Sequence, residues 1–157
     1  MAALPLYEVG ATLYRVTVQL VRDVADLPAY DGSAIRGPSD VRALASALLD
    51  SEAQEVFVAF LLDTRHRVNA YHIVTRGIVD ASLVHPREVF RAAILANASA
   101  VIVAHNHPSG DPSPSQEDRA VTRVLAEAGK VVGIPLLDHV VVGGGTGTYV
   151  SLANEIT

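Results

Sequence analysis

The amino-acid sequence predicts an α/β domain of α+β character, in which helices flank a mixed sheet. Apolar, strand-like runs alternate with amphipathic helical patterns in the order β-α-β-β-α-β-α-β-β. Two of these strands follow each other as a hairpin, so the sheet must contain antiparallel as well as parallel pairs. The chain has 157 residues, 50% of them hydrophobic, which is enough for one domain with a substantial core.

The first third of the chain contains one predicted strand and one predicted helix. Residues 13–21 (LYRVTVQLV) alternate between polar and apolar side chains, which indicates a half-buried strand. We therefore interpret residues 1–37 as an N-terminal extension with a strand, and residues 38–157 as the main domain. A helix begins that domain at Pro38. Its apolar stripe consists of Val41, Leu44, Ala45, Leu48 and Leu49.

The middle of the chain predicts a hairpin, a helix and a further buried strand. The apolar run at residues 55–63 (EVFVAFLLD) and the segment at 67–74 are joined by a short turn and form the hairpin. A proline at a first helical position opens a helix over residues 86–97. Residues 100–105 form the third buried strand, which leads directly into the most polar loop of the chain.

The C-terminal part predicts a helix over residues 115–129 and two closing strands. Ser113 is the expected N-cap of this helix, Pro114 its first helical residue and Gly129 its C-terminal cap. The two strands are expected at residues 134–142 and 148–152.

Composition excludes several classes of protein. No apolar run approaches the roughly 20 residues that a membrane helix needs, and the N-terminus lacks the basic flank of a signal peptide. We therefore expect a cytoplasmic protein without a membrane partner. The net charge of −5 argues against wide, sequence-independent binding to nucleic acid. Because cysteine is absent, disulfides are excluded and any zinc ligands must be His, Asp or Glu.

Residues 104–118 (AHNHPSGDPSPSQED) carry the strongest concentration of chemistry. His105 and His107 end a buried strand, where side chains two apart point to the same side and can reach one ion. Asp118 lies in the opening turns of the next helix and could be a third ligand. His-His-Asp with an open fourth position is the pattern of a catalytic Zn²⁺, whose bound water has a pKa near 7.

Two further residues are candidates for catalysis. Glu55 is the first charge of an otherwise apolar strand and is the predicted acid–base, and the Ser115 hydroxyl could stabilise an oxyanion. Both have a purely structural interpretation as well. Ser115 and Asp118 resemble a capping box, and Glu55 could be a solvent-facing charge at a strand end. The conjunction of His-x-His, a proline-rich loop and Ser-x-x-Asp favours the metal site over capping alone.

Three other features are interpreted as structural. His139 lies in an apolar strand and is expected to be a satisfied buried histidine, paired with Asp138. The glycines at 143–145 are followed by neither a lysine nor a helix start, so they do not indicate a phosphate loop. The contiguous tripeptide at 105–107 spells the letters of a nuclease class whose residues are spread over a ββα unit, and we discount that similarity.

The full pattern resembles a known family. Glu55, His105-x-His107-Pro and Ser115-x-x-Asp118 resemble the JAMM (MPN+) metalloprotease signature. The string HNHPSGDPSPSQED, with PREVF upstream and GIPLLDH downstream, resembles the RadC branch of that superfamily over roughly residues 38–157. The resemblance implies the JAB/MPN fold, a mixed sheet flanked by helices with a cytidine-deaminase-like layer. It also implies zinc held by the two histidines and the aspartate, with the glutamate as acid–base and the serine near the oxyanion.

The resemblance leaves three functions to compare. The favoured one is a zinc-dependent hydrolase, a metallopeptidase or isopeptidase acting on a peptide or protein substrate. The family name suggests a DNA-linked alternative, as nuclease or repair accessory. Family members usually carry an N-terminal helical region resembling a helix-hairpin-helix DNA-binding module, for which residues 1–37 are too short. The third function is a non-catalytic MPN binding module that keeps the fold.

Overall fold

The structure of the protein is a computed structural model, which describes residues 15–17, 19–20, 30–77 and 84–156. Of the strand predicted over residues 13–21, only the five residues in the first two ranges are described. These five are exposed and none lies in a strand, and the rest of that prediction lies outside the described residues. Among the described helices, none is long and apolar enough to cross a membrane.

Helices and strands alternate through the described part of the chain in the predicted order from the first helix onward. The elements are α1 (Pro38–Leu49), β1 (Val56–Leu62), β2 (Val68–Arg76), α2 (Pro86–Leu95), β3 (Ala100–His107), α3 (Gln116–Val132), β4 (Leu136–Gly143), β5 (Tyr149–Ser151) and a 3-10 turn (Ala153–Glu155). Predicted and observed ends differ by three residues at most.

The five strands form one mixed sheet in the order β2-β1-β3-β4-β5. β1 pairs antiparallel with both β2 and β3, β3 pairs parallel with β4, and β4 pairs antiparallel with β5. The predicted fold class, a mixed sheet flanked by helices, is confirmed. β3 is the central strand, so its C-terminal end is enclosed by β1 on one side and β4 on the other.

Helices cover both faces of this sheet. One hydrophobic core lies between the sheet and the α2–α3 pair, and the other lies between the sheet and α1. β1 contributes alternate side chains to both cores and is buried at every position. This explains why its sequence is continuously apolar and not alternating.

The predicted start of α3 was wrong by two residues. The N-cap is Ser115, whose side chain accepts from the Asp118 N–H, so Ser113 and Pro114 lie in the loop before the helix. Ser113 instead donates its N–H and its hydroxyl to Asp111 Oδ1, at 2.9 and 2.6 Å. This turn stiffens the loop that leads to the helix. A serine that finds a reciprocal partner three residues on makes the better cap.

The predicted end of α3 was also wrong. The helix ends at Gly133, which has a φ of 74°, a left-handed conformation that favours glycine. Gly129 lies inside the helix, where a Cβ atom would be 2.7 Å from the Ile134 carbonyl oxygen and 3.3 Å from the Phe90 ring. Glycine is therefore needed at 129 because the chain passes close to α3, and not because the helix ends there.

Candidate metal centre

The candidate site lies where the C-terminal end of β3 meets the first turn of α3. Val101 and Val103 face the α2–α3 side of the sheet, while the residues between and after them face α1. By the same alternation His105 and His107 point toward α3. Asp118 lies in the first turn of that helix and is buried, so the loop between β3 and α3 brings it back to the histidines.

The structure brings the three predicted ligands together. His105 Nε2 lies 3.0 Å from His107 Nε2. The two oxygens of Asp118 lie 3.2 Å from His105 Nε2 and 3.4 Å from His107 Nε2. Ligand atoms that each lie 2.0–2.1 Å from one tetrahedral ion are about 3.3 Å apart. The spacing of these donors therefore fits a metal ion, and the group could hold one.

A backbone carbonyl sets the protonation of His107. Its Nδ1 lies 2.8 Å from the carbonyl oxygen of Asp111. A carbonyl oxygen only accepts hydrogen bonds, so Nδ1 carries the hydrogen. In the neutral ring the lone pair is then on Nε2, which faces His105 and Asp118. The loop that separates the ligands in sequence thus prepares one of them for metal binding.

The charges of this group are strongly coupled. Burial alone would raise the pKa of Asp118, but hydrogen bonds from His105 and His107 hold that pKa well below its ordinary range. The hydrogen bond to Asp118 raises the pKa of His107 against the opposing effect of burial, and the charge of Glu55 adds to the increase. Without a metal, the site therefore favours a proton on His107, whose positive charge balances the carboxylate as a metal ion would.

Glu55 precedes β1 and lies near the two histidines. Phe57 pairs with His105 in the antiparallel ladder between β1 and β3. Extending this register by two residues places Glu55 opposite His107, on the same face of the sheet. Glu55 is partly buried. The position agrees with the predicted acid–base role, which stays a prediction.

Asn106, between the two histidines, is a positioning residue that was not among the predicted site residues. Its side chain is fully buried. Its Oδ1 accepts from the Val56 N–H at 2.8 Å, and its Nδ2 donates to the Gln54 carbonyl at 3.0 Å. Peptide groups on both sides of Glu55 are thus tied to the end of β3. The signal in the sequence was an amide placed between two predicted ligands at the end of an apolar run.

Ser115 and Asp118 form the capping box that their spacing suggested. Ser115 Oγ accepts from the Asp118 N–H at 3.0 Å, and the Ser115 N–H donates to Asp118 Oδ2 at 2.7 Å. The structural interpretation is therefore confirmed, and it is compatible with the functional one. Asp118 Oδ1 still faces His105, and the cap uses the serine oxygen only as an acceptor, which leaves its hydroxyl hydrogen able to donate.

His139 is buried, as predicted, but its ring does not pair with Asp138. Asp138 accepts from the backbone N–H of His139 at 2.7 Å and binds the Ser151 hydroxyl. The ring of His139 instead lies between Thr122 Oγ1, 2.6 Å from its Nδ1, and His105 Nδ1, 2.8 Å from its Nε2. Complete burial lowers the pKa of His139 well below its usual value, so the ring is neutral.

The glycine run at residues 143–145, which begins at the last residue of β4, supports the loop between β3 and α3. The Gly144 N–H donates to the carbonyl of His107 at 3.0 Å. A Cβ atom at position 143 would lie 2.2 Å from the carbonyl oxygen of Gly110. The two loops therefore approach more closely than any side chain would permit, and this contact fixes the backbone that carries His107.

Comparison with known proteins places this site in a family context. A family model described as the RadC-like JAB domain matches residues 35–157. The UPF0758 protein of Methanosarcina acetivorans is 47% identical over 121 residues, which are 77% of this chain and 52% of that protein. The UPF0758 protein of Xanthomonas campestris pv. campestris is 51% identical over 114 residues, which are 73% of this chain and 51% of that protein. The UPF0758 protein of Desulforamulus reducens is 42% identical over 135 residues, which are 86% of this chain and 60% of that protein. The chain thus spans about half the length of the curated relatives it matches.

Proposed function

Because the chain belongs to the RadC-like JAB domain family, we propose that it is a zinc-dependent hydrolase that cleaves peptide or isopeptide bonds. The observation that carries this proposal is the convergence of His105, His107 and Asp118, since each pair of these side chains has two donor atoms 3.0–3.4 Å apart. Two imidazoles and one carboxylate are the ligands of many catalytic zinc sites, and three protein ligands leave a fourth position for water.

The position of each residue supports its proposed role. When bound, zinc would polarise a carbonyl oxygen and make a water molecule acidic near neutral pH. Glu55 accepts a proton from the attacking water and returns it to the amine nitrogen that leaves when the peptide bond breaks. The Ser115 hydroxyl donates a hydrogen bond to the oxygen that becomes negative. His105, His107 and Asp118 hold the ion, and the substrate is a peptide or protein.

The two other functions predict different behaviour. A DNA-linked role requires DNA binding that weakens as salt increases, and the net charge of −5 disfavours it. A non-catalytic binding module would keep the zinc but hydrolyse nothing. The DNA-linked role is tested by whether the protein is retained on a DNA column at low salt and released at high salt. The binding module is tested by an assay for substrate turnover, which it would lack.

Removing the metal is expected to abolish hydrolysis reversibly. The purified protein is assayed on peptide- and isopeptide-linked substrates before dialysis against a chelator, after it, and after one equivalent of Zn²⁺ is restored. Activity should disappear with the metal and return with it, since only the ion supplies the acidic water. Activity that survives complete removal of zinc would contradict the proposal, as would zinc-loaded protein that cleaves none of these substrates.

The affinity for zinc is expected to decrease as the pH falls, beginning above pH 6.5. The hydrogen bond to Asp118 raises the pKa of His107 in the metal-free protein, so the ion must displace a proton at pH values where a free histidine is already neutral. Below the pKa of His107, where zinc binding displaces one proton, the dissociation constant should rise about tenfold for each unit by which the pH falls. Chelator competition at pH 8, 7 and 6 measures it. A constant affinity across that range would contradict the expected coupling.

A further inference from the structure

We propose that Thr122 and His139 are positioning residues, which fix the hydrogen of His105 on Nδ1 and thereby keep its Nε2 lone pair free for the ion. This inference rests on the metal site of the proposed function. It assigns a role to two residues outside the group of three proposed ligands. Thr122 belongs to α3 and His139 to β4, and both are fully buried.

In the first hydrogen bond of the chain, donor and acceptor are fixed by the chemistry of the two groups. Thr122 Oγ1 lies 2.7 Å from the backbone carbonyl oxygen of Asp118, one helical turn earlier. The carbonyl oxygen can only accept, so the hydroxyl donates its single hydrogen there. Because Thr122 is buried, water does not compete for this bond. Every further contact of Thr122 Oγ1 must then use the oxygen as an acceptor.

The next contact fixes the hydrogen of His139. Its Nδ1 lies 2.6 Å from Thr122 Oγ1. Since the hydroxyl hydrogen is already used, the ring nitrogen must be the donor, and Nδ1 carries the hydrogen. A fully buried imidazole beside a second imidazole is disfavoured as a cation. The neutral ring of His139 therefore has its lone pair on Nε2.

The last contact fixes the hydrogen of His105, the proposed ligand, in the same way. His105 Nδ1 lies 2.8 Å from His139 Nε2, so His105 donates and its hydrogen is on Nδ1. The lone pair of the neutral His105 ring is then on Nε2, which faces His107 Nε2 and Asp118. The Phe57 ring stacks on His105 at 5.8 Å with planes 12° apart, which holds the ring in this orientation.

Asp118 is at both ends of the network. Its carbonyl sets the direction of the hydrogen bonds, and its carboxylate is the third proposed ligand. If the hydrogen bonds ran in the opposite direction, the hydrogen of the neutral His105 ring would be on Nε2, where it blocks metal binding. The buried carbonyl of Asp118 would also lose its hydrogen bond from the Thr122 hydroxyl. Partners that orient a metal-binding histidine in this way typically contribute 10- to 100-fold in metal affinity.

The test compares Thr122→Val with Thr122→Ser. Valine keeps the shape of threonine but removes the hydroxyl, whereas serine keeps it. The zinc dissociation constant is measured by chelator competition at pH 8, and the ring hydrogens of the histidines are assigned by ¹⁵N NMR in zinc-loaded and metal-free protein. Thr122→Val should bind zinc about 10- to 100-fold more weakly, with Thr122→Ser within a few-fold of the unsubstituted protein.

The NMR measurement on the unsubstituted protein tests the network even if Thr122→Val does not fold. It should show hydrogen on Nδ1 of both His105 and His139, and a His105 ring that carries hydrogen on Nε2 but not on Nδ1 would overturn the proposal. Equal zinc affinity in a folded Thr122→Val would overturn it too, while leaving the proposed hydrolase intact. If the unsubstituted protein bound no zinc, the proposed function would fail, and the hydrogen positions in the metal-free protein would still decide the network.

Discussion

Replacing Asp118 by asparagine is expected to remove zinc binding and hydrolysis while leaving the fold in place. The carboxylate is the only proposed ligand with a negative charge, and it is buried within 3.4 Å of both histidine nitrogens. Asparagine has nearly the same shape, and its side-chain oxygen can still accept from the Ser115 N–H. The capping box is therefore largely kept, but the charge that offsets a divalent ion is lost. We expect zinc affinity to fall by more than about 100-fold, beyond the usual effect of an outer partner.

Two control variants separate metal binding from folding. Ser115→Ala removes the N-cap oxygen and should lower the free energy of unfolding by about 0.5–2 kcal/mol, with zinc content unchanged. His72→Ala removes a histidine on β2, outside the cluster, and should also retain zinc. Zinc per chain is measured by elemental mass spectrometry after gel filtration. Asp118→Asn with the zinc content of the unsubstituted protein would contradict the assigned ligand set.

Local pattern was sufficient to predict the elements from α1 onward and the grouping of the three candidate donors. The apolar periodicity of β1, β3 and α3 depends on neighbours in sequence, and so does the direction of His105 relative to His107. Asp118 could be added because a short, proline-rich loop permits few positions for the helix that follows it. The family pattern agreed with this reasoning, and the same five residues emerged from both.

The rest of the site depends on contacts between segments far apart in sequence. Asn106 binds peptide groups 50 and 52 residues earlier, and His139 reaches His105 over 34 residues and Thr122 over 17. No periodicity encodes such distances, since they follow from the strand order and the register. The start of α3 was missed for a different, local reason. Two serines could cap the helix, and only the reciprocal bonds with Asp118 select Ser115.

Glu55→Gln is expected to keep the zinc and lose the reaction. Glutamine has the size of glutamate and can retain hydrogen bonds, but it cannot carry a proton between the water and the leaving amine. A positioned acid–base contributes typically 10²- to 10⁴-fold, so kcat/KM should fall by about that factor. The zinc content should match that of the unsubstituted protein, because Glu55 is not among the three proposed ligands. Both quantities are measured on the same preparation.

The matched control is Glu52→Gln, three residues earlier in the same segment. Glu52 forms an ion pair with Arg76 at 2.6 Å, so its loss changes a partly exposed contact and leaves the site unaltered. Glu52→Gln should keep its activity within a few-fold. Equal activity losses in the two variants would mean that the segment before β1 acts only through its structure. A selective loss in Glu55→Gln would show that the reaction needs the carboxylate of Glu55 itself, in a segment whose peptide groups Asn106 holds beside the end of β3.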